Sequence, residues 1–171
     1  MDDRTAQIAT ICECIDQSFA FAIWRDDFAR NVDPDDMIWG LERGFDLVAD
    51  ATRLLSFLAL RKMDDFFVGA QPRPDDLTAS KFEIDIPTVL GEVGTSFLKS
   101  TERTNISKGV AHLTERLHLD PDSEVDLQEI VKRSIPVFSR LIVQLRTVDH
   151  DQEAADKIDR TQSLIKRASA L

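Results

Sequence analysis

The sequence predicts an all-α protein: an antiparallel bundle of four to five helices with a structured loop between the second and third. Three observations carry that prediction. Apolar residues recur at three- and four-residue intervals over long stretches, the period of one buried helical face. With 6 Gly and 6 Pro in 171 residues, the chain has too little punctuation for the many short strands of a sandwich or barrel. Its 43% apolar content is enough for one contiguous core, which excludes intrinsic disorder and makes residues 1–171 a single domain.

The first helix is expected over residues 5–30, where Ile8, Ile11, Ile15, Phe19, Ala22 and Ile23 share a face. Pro34 disfavours helical backbone in the residue before it and ends that helix, and Asp33 can cap the next one. The second helix runs over 38–68 through Leu41, Phe45, Val48, Leu55, Leu58 and Met63, its stripe widened by Leu47, Leu54 and Phe57. So broad a stripe predicts a central helix that touches several neighbours. Pro72 and Pro74 then break the chain at 69–76. Residues 82–87 alternate apolar and acidic, and with no partner strand in view we read them as loop rather than as an edge strand. A third helix is expected to start between Pro87 and Thr101 and to bury Ile106, Val110, Leu113 and Leu117. After a turn at 119–123, Leu127, Val131, Phe138, Leu141, Leu145 and Val148 define a fourth, with Pro136 inside it to kink it or remove one hydrogen bond. Residues 150–171 are an accessory C-terminal helix anchored by Ile158 and Leu164 or Ile165, or else a frayed tail.

The formal net charge of −10 excludes a protein that coats nucleic acid or anionic membrane by bulk electrostatics. The charge is unevenly spread. The first 36 residues carry nine acids against three Arg, which marks the first helix as a surface for a protein partner. From Ile130 to Val148 there are Lys132, Arg133, Arg140 and Arg146 and no acid. Acids at positions 2 and 3 are wrong for a signal peptide, and the longest uncharged apolar run, 54–60, is far short of the ~20 residues that span a bilayer. We therefore expect a cytoplasmic chain with no membrane partner. Cys12 and Cys14, two apart on a helix, point to nearly opposite sides and suit neither a disulfide nor a shared zinc ion.

No phosphate loop, nucleophile elbow or paired-histidine metal motif is present, and His112, His118 and His150 are never three or four apart, so no cofactor and no metal are expected. One segment is organised differently. On a helix, Asn105, Lys108, His112 and Arg116 fall within about 80° of arc, beside the apolar stripe. Cations one turn before and after a histidine disfavour its protonation and leave a neutral base, while the cations themselves can hold a phosphate. The alternative is that His112 and Asn105 satisfy backbone groups at a helix crossing while Lys108 and Arg116 are solvated. Arg133 and Arg140, one heptad apart on the fourth helix, either extend this ridge into an anion-binding strip or cover the edges of the stripe and pair with the acids of the first helix. On the second helix Arg61 precedes Asp64 and Asp65 by three and four residues, which suits intrahelical ion pairs or an acid that orients His112.

The runs Leu58-Ala59-Leu60-Arg61-Lys62-Met63-Asp64-Asp65-Phe66-Phe67 and Asn105-Ile106-Ser107-Lys108-Gly109-Val110-Ala111-His112-Leu113-Thr114, separated by a loop rich in Pro and Asp, resemble the HEPN-like helical proteins, in particular bacterial members related to abortive-infection proteins. The resemblance spans residues 41–148. It implies a helical bundle, a homodimer, and RNA or a nucleotide as the partner that is bound or cleaved, in toxin–antitoxin or antiphage defence. Cleavage would be metal-independent, with His112 as base, Lys108 and Arg116 stabilising the charged transition state, Asn105, Arg103, Arg133 and Arg140 binding, and Arg61, Asp64 and Asp65 in support. In this chain eight residues separate Arg103 from His112 and three separate Lys108 from it, so the Arg-to-His spacing of catalytic members is not met. The rival expectation is a non-catalytic dimeric interaction or scaffold protein in which His112 is structural.

Overall fold

The computed structural model describes residues 3–31, 39–69, 76–111 and 125–171, for 39–45 and 108–111 the backbone only. The protein is all-α, and no strand occurs among the described residues. Its elements are α1 (Asp3–Ser18), α2 (Ala20–Asn31), α3 (Trp39–Val68), α4 (Ile86–Leu90), α5 (Ser100–Ala111), α6 (Leu127–Leu145) and α7 (Gln152–Ala168), with short 3-10 turns at Ala79–Phe82 and Gly91–Val93. The helix end expected at Asp33 and Pro34 and the turn expected at 119–123, together with Pro72 and Pro74, lie outside the described residues.

The long helices pack as a bundle. Phe21 and Cys14 lie beside Ser56 and Lys62, so α3 runs opposite to α1 and α2. Phe19 and Arg25 lie beside Phe138 and Gln128, so α6 also runs opposite to them. Helix α7 runs in the same direction as α1 and α2, since Thr161 lies beside Cys12 and Asp16, and Arg167 beside Asp27. The tail is thus a docked helix: Ala154, Ile158, Thr161, Ile165 and Ala168 are buried along one face, and Asp151 caps it by accepting the N–H of Ala154 at 3.1 Å.

The helix expected over 5–30 is interrupted at Phe19. Neither Pro nor Gly causes the break. In an unbroken helix the N–H of Phe21 would donate to the carbonyl of Gln17. Here it donates instead to Ser56 Oγ at 3.1 Å, and that hydroxyl donates to the Gln17 carbonyl at 3.0 Å. A foreign side chain inserted into the ladder is a recognised cause of a helix break. Helix α6, by contrast, continues through Pro136.

The chain has 10 Phe and no Tyr, and the core explains part of that choice. Phe19, Phe138, Phe97, Phe67, Phe66 and Phe82 form a chain of rings whose successive centroids are 5.2–6.4 Å apart, mostly edge to face. Each is at most 5% exposed, and a Tyr hydroxyl at such depth would need a polar partner. Two of the six rings, Phe82 and Phe97, come from the segment between α3 and α5, so that segment is part of the core. Its alternation places Phe82 and Ile84 inside and Glu83 and Asp85 outside without forming a strand.

Candidate functional site around the seam between α3 and α5

Helix α5 is locked to two neighbours by consecutive residues. Arg103 reaches α3, where its guanidinium pairs with Asp65 and lies 3.5 Å from Asp64 Oδ2. Glu102 reaches α6, accepting from Arg133 Nη2 at 2.7 Å. The same Glu102 carboxylate accepts the backbone N–H of Lys99 at 2.7 Å, half of a capping box that fixes the start of α5. Lys99 in turn pairs with Glu129 at 3.1 Å.

Asp64 is the buried member of this seam. Its side chain is 0% exposed, and Oδ1 accepts from Ser96 Oγ at 2.6 Å and from the Leu98 N–H at 3.4 Å. Among the described residues Oδ2 has no hydrogen-bond partner, and it lies 3.5 Å from the Arg103 guanidinium and 4.0 Å from that of Arg61. Burial pushes the Asp64 carboxyl above the ordinary carboxylate range, and the bonds from Ser96 and Leu98 oppose that shift. Asp65, half exposed, is also raised by burial, against the pull of Arg61 3.2 Å away. Asp64 therefore ties the loop before α5 to α3, while Asp65 holds Arg61 and Arg103 at the rim.

Arg133 and Arg140 are engaged by protein groups. Arg133 takes Glu102 and lies 3.7 Å from Glu129. Arg140 donates from Nε to the Val89 carbonyl at 2.7 Å and from Nη2 to the Leu90 carbonyl at 3.1 Å. These are the terminal carbonyls of α4, which lack partners within so short a helix. One turn on, Gln144 brackets the other end of α4, its Oε1 accepting the Asp85 N–H at 2.8 Å. Arg140 and Gln144 thus clamp α4 at both ends. Arg133, Arg140 and Arg146 reach α5, α4 and α7, where Arg146 pairs with Asp159, and among the described residues none of the three pairs with an acid of α1 or α2, contrary to the expectation that they would.

Of the residues singled out in the sequence, the structure brings Arg61, Asp64, Asp65 and Arg103 into one cluster. Asn105 is half-buried and, two residues from Arg103 on α5, projects from nearly the opposite side of that helix. His112 and Arg116 lie outside the described residues, as does the Lys108 side chain. Among the described residues no group of His, Cys, Asp and Glu has the arrangement of a metal site, and no helix is long and apolar enough to cross a membrane. His150 contacts the Val148 carbonyl. Sequence reasoning missed Ser96, Glu102 and Gln144. Only Glu102 had a local signal, its position three residues after the helix-capping residue.

Fold and site together define an all-α bundle whose fifth helix is fastened by ion pairs to the third and sixth. Comparison of the chain with protein-family models, with curated proteins and with solved structures finds no match.

Proposed function

We propose that this chain is a non-catalytic interaction or scaffold protein rather than an RNA-cleaving enzyme. One observation carries the reading: the arginines that the sequence offers for binding or support, among the described residues, already serve protein acceptors. Arg61 and Arg103 face Asp64 and Asp65, Arg133 faces Glu102 and Glu129, and Arg140 caps α4. A phosphate at any of them would have to displace a carboxylate or strip a partly buried helix end of its partner. That arrangement supports a rigid platform that presents a surface.

The test is incubation of labelled RNA, without metal, with the protein and with its His112→Ala variant, together with RNA binding measured across a salt series. We expect no cleavage by either protein and no salt-dependent affinity. Cleavage that the His112→Ala variant loses would overturn the proposal in favour of metal-independent ribonuclease chemistry.

A further inference from the structure

The seam between α3 and α5 contains two buried atoms of opposite character that stand close together without bonding. Asp64 Oδ2 and Arg61 Nη1 are both shut off from solvent, and among the described residues neither has a hydrogen-bond partner. They are 4.0 Å apart, beyond the reach of a direct hydrogen bond. Arg103 Nη1 stands 3.5 Å from the same Oδ2, also longer than a normal bond. Leaving a charged acceptor and a charged donor bare at such depth is costly, and native proteins rarely do so.

The charges of the seam decide which ligand suits these atoms. The guanidinium groups of Arg61 and Arg103 face the carboxylates of Asp64 and Asp65, so the cluster is balanced, and Asp76 adds a further acid on the side of Asp65. An anion between them would be set against Oδ2, and a cation against both guanidinium groups. Water is neutral and both donates and accepts: one O–H to Oδ2, one lone pair to Arg61 Nη1 and the other to Arg103 Nη1. With hydrogen bonds of about 2.9 Å, atoms 4.0 Å apart subtend about 90° at the water oxygen, which leaves one O–H and one lone pair each aimed at its partner. Three polar partners are the usual complement of a buried water. The Arg61 and Arg103 side chains are 27% and 23% exposed, so water has a short way in past them.

We propose that the seam between α3 and α5 is the binding site of one resident water molecule, held by Asp64 Oδ2, Arg61 Nη1 and Arg103 Nη1. The water joins Arg61 to Asp64 and completes a carboxylate whose other oxygen is taken by Ser96 and Leu98. The site stands whether or not the chain acts on RNA. Two measurements on the full chain test it. A crystal structure at a resolution that shows ordered water should place one water within about 3.2 Å of all three atoms. A seam without that water, or one in which Oδ2 bonds directly to either guanidinium group, overturns the proposal. In solution, oxygen-17 relaxation dispersion counts the waters that stay bound for longer than the protein takes to tumble. In Asp64→Asn, with Oδ1 still held by Ser96 and Leu98, an NH2 group stands where Oδ2 was, and the water would face three donors and no acceptor. The count should fall by one. Arg61→Leu removes a partner and puts apolar volume in its place, and should lose the same water. An unchanged count in either variant, with the helical spectrum of the parent, overturns the proposal.

Discussion

Ser56 completes the backbone hydrogen bonding of Phe21, a residue 35 positions earlier, by taking its N–H at 3.1 Å and passing its own proton to the Gln17 carbonyl. The hydroxyl is 0% exposed and stands where one rung of a continuous helix would be. It lets α2 leave the line of α1 without leaving a buried donor or acceptor unmet.

Replacing Ser56 by Ala removes both bonds and leaves a partly buried backbone N–H and carbonyl without this partner. We expect a loss of about 1–3 kcal/mol in stability, measured by urea unfolding. A variant as stable as the parent would mean that α1 and α2 simply fuse into one straight helix.

Arg140 and Gly91 form the second linked pair. Arg140→Ala strips two carbonyls of a charged donor and should cost about 1.5–3 kcal/mol. It should also speed amide exchange in α4 more than in α7. Gly91 has φ +57° and ψ −128°, and a β-carbon there would sit 3.1 Å from Arg140 Nη2. Gly91→Ala should therefore destabilise by about 1–3 kcal/mol from backbone strain alone. Unchanged thermal unfolding of both variants would show that α4 is not held in this way.

Asp64 gives a pH dependence whose sign is set by its environment. Its carboxyl titrates above the ordinary value when folded, so between the two values the native state binds more protons than the unfolded chain. Its contribution to stability is therefore greatest at acid pH and falls as pH rises through that window. Asp64→Asn keeps an acceptor for Ser96 and Leu98 but cannot ionise. Measured against the parent from acid to neutral pH, the variant should gain relative stability. A difference independent of pH would contradict the buried, incompletely bonded Oδ2.

The two thiols should differ in reactivity. Cys12 is 2% exposed and burial pushes its thiol up to about 11, while Cys14 is half-buried. An alkylating reagent at neutral pH should modify Cys14 first and Cys12 only on unfolding, as peptide mass analysis would show. Equal rates would place Cys12 outside the core.

Periodicity made the long elements legible, because a buried face repeats every turn whatever it packs against. Ile8, Ile11, Ile15 and Phe19 are all buried as expected, and so are Leu127, Val131, Phe138, Leu141 and Leu145. What escaped were features made by residues distant in sequence. Nothing in residues 5–30 announces a break at Phe19, since its cause lies in α3. Five residues are too few to show a period, so α4 was not visible. The pairing of Arg61 with Asp65 could be read from spacing alone. That Arg103 would join them, and that Arg140 would serve carbonyls rather than a ligand, depended on which helices became neighbours.

The clamp on α4 also orders events during synthesis. A helix of five residues has no stability of its own, and the two side chains that hold its ends lie 50 and 59 positions downstream of the groups they bind. While the chain is being made, α1 to α3 are available to associate well before Arg140 and Gln144 have been added. Phe82 can already pack on Phe66 of α3, but the face of Phe97 that meets Phe138 stays uncovered until α6 emerges. A pause in translation before α6 would lengthen the interval in which α4 lacks both of its clamps.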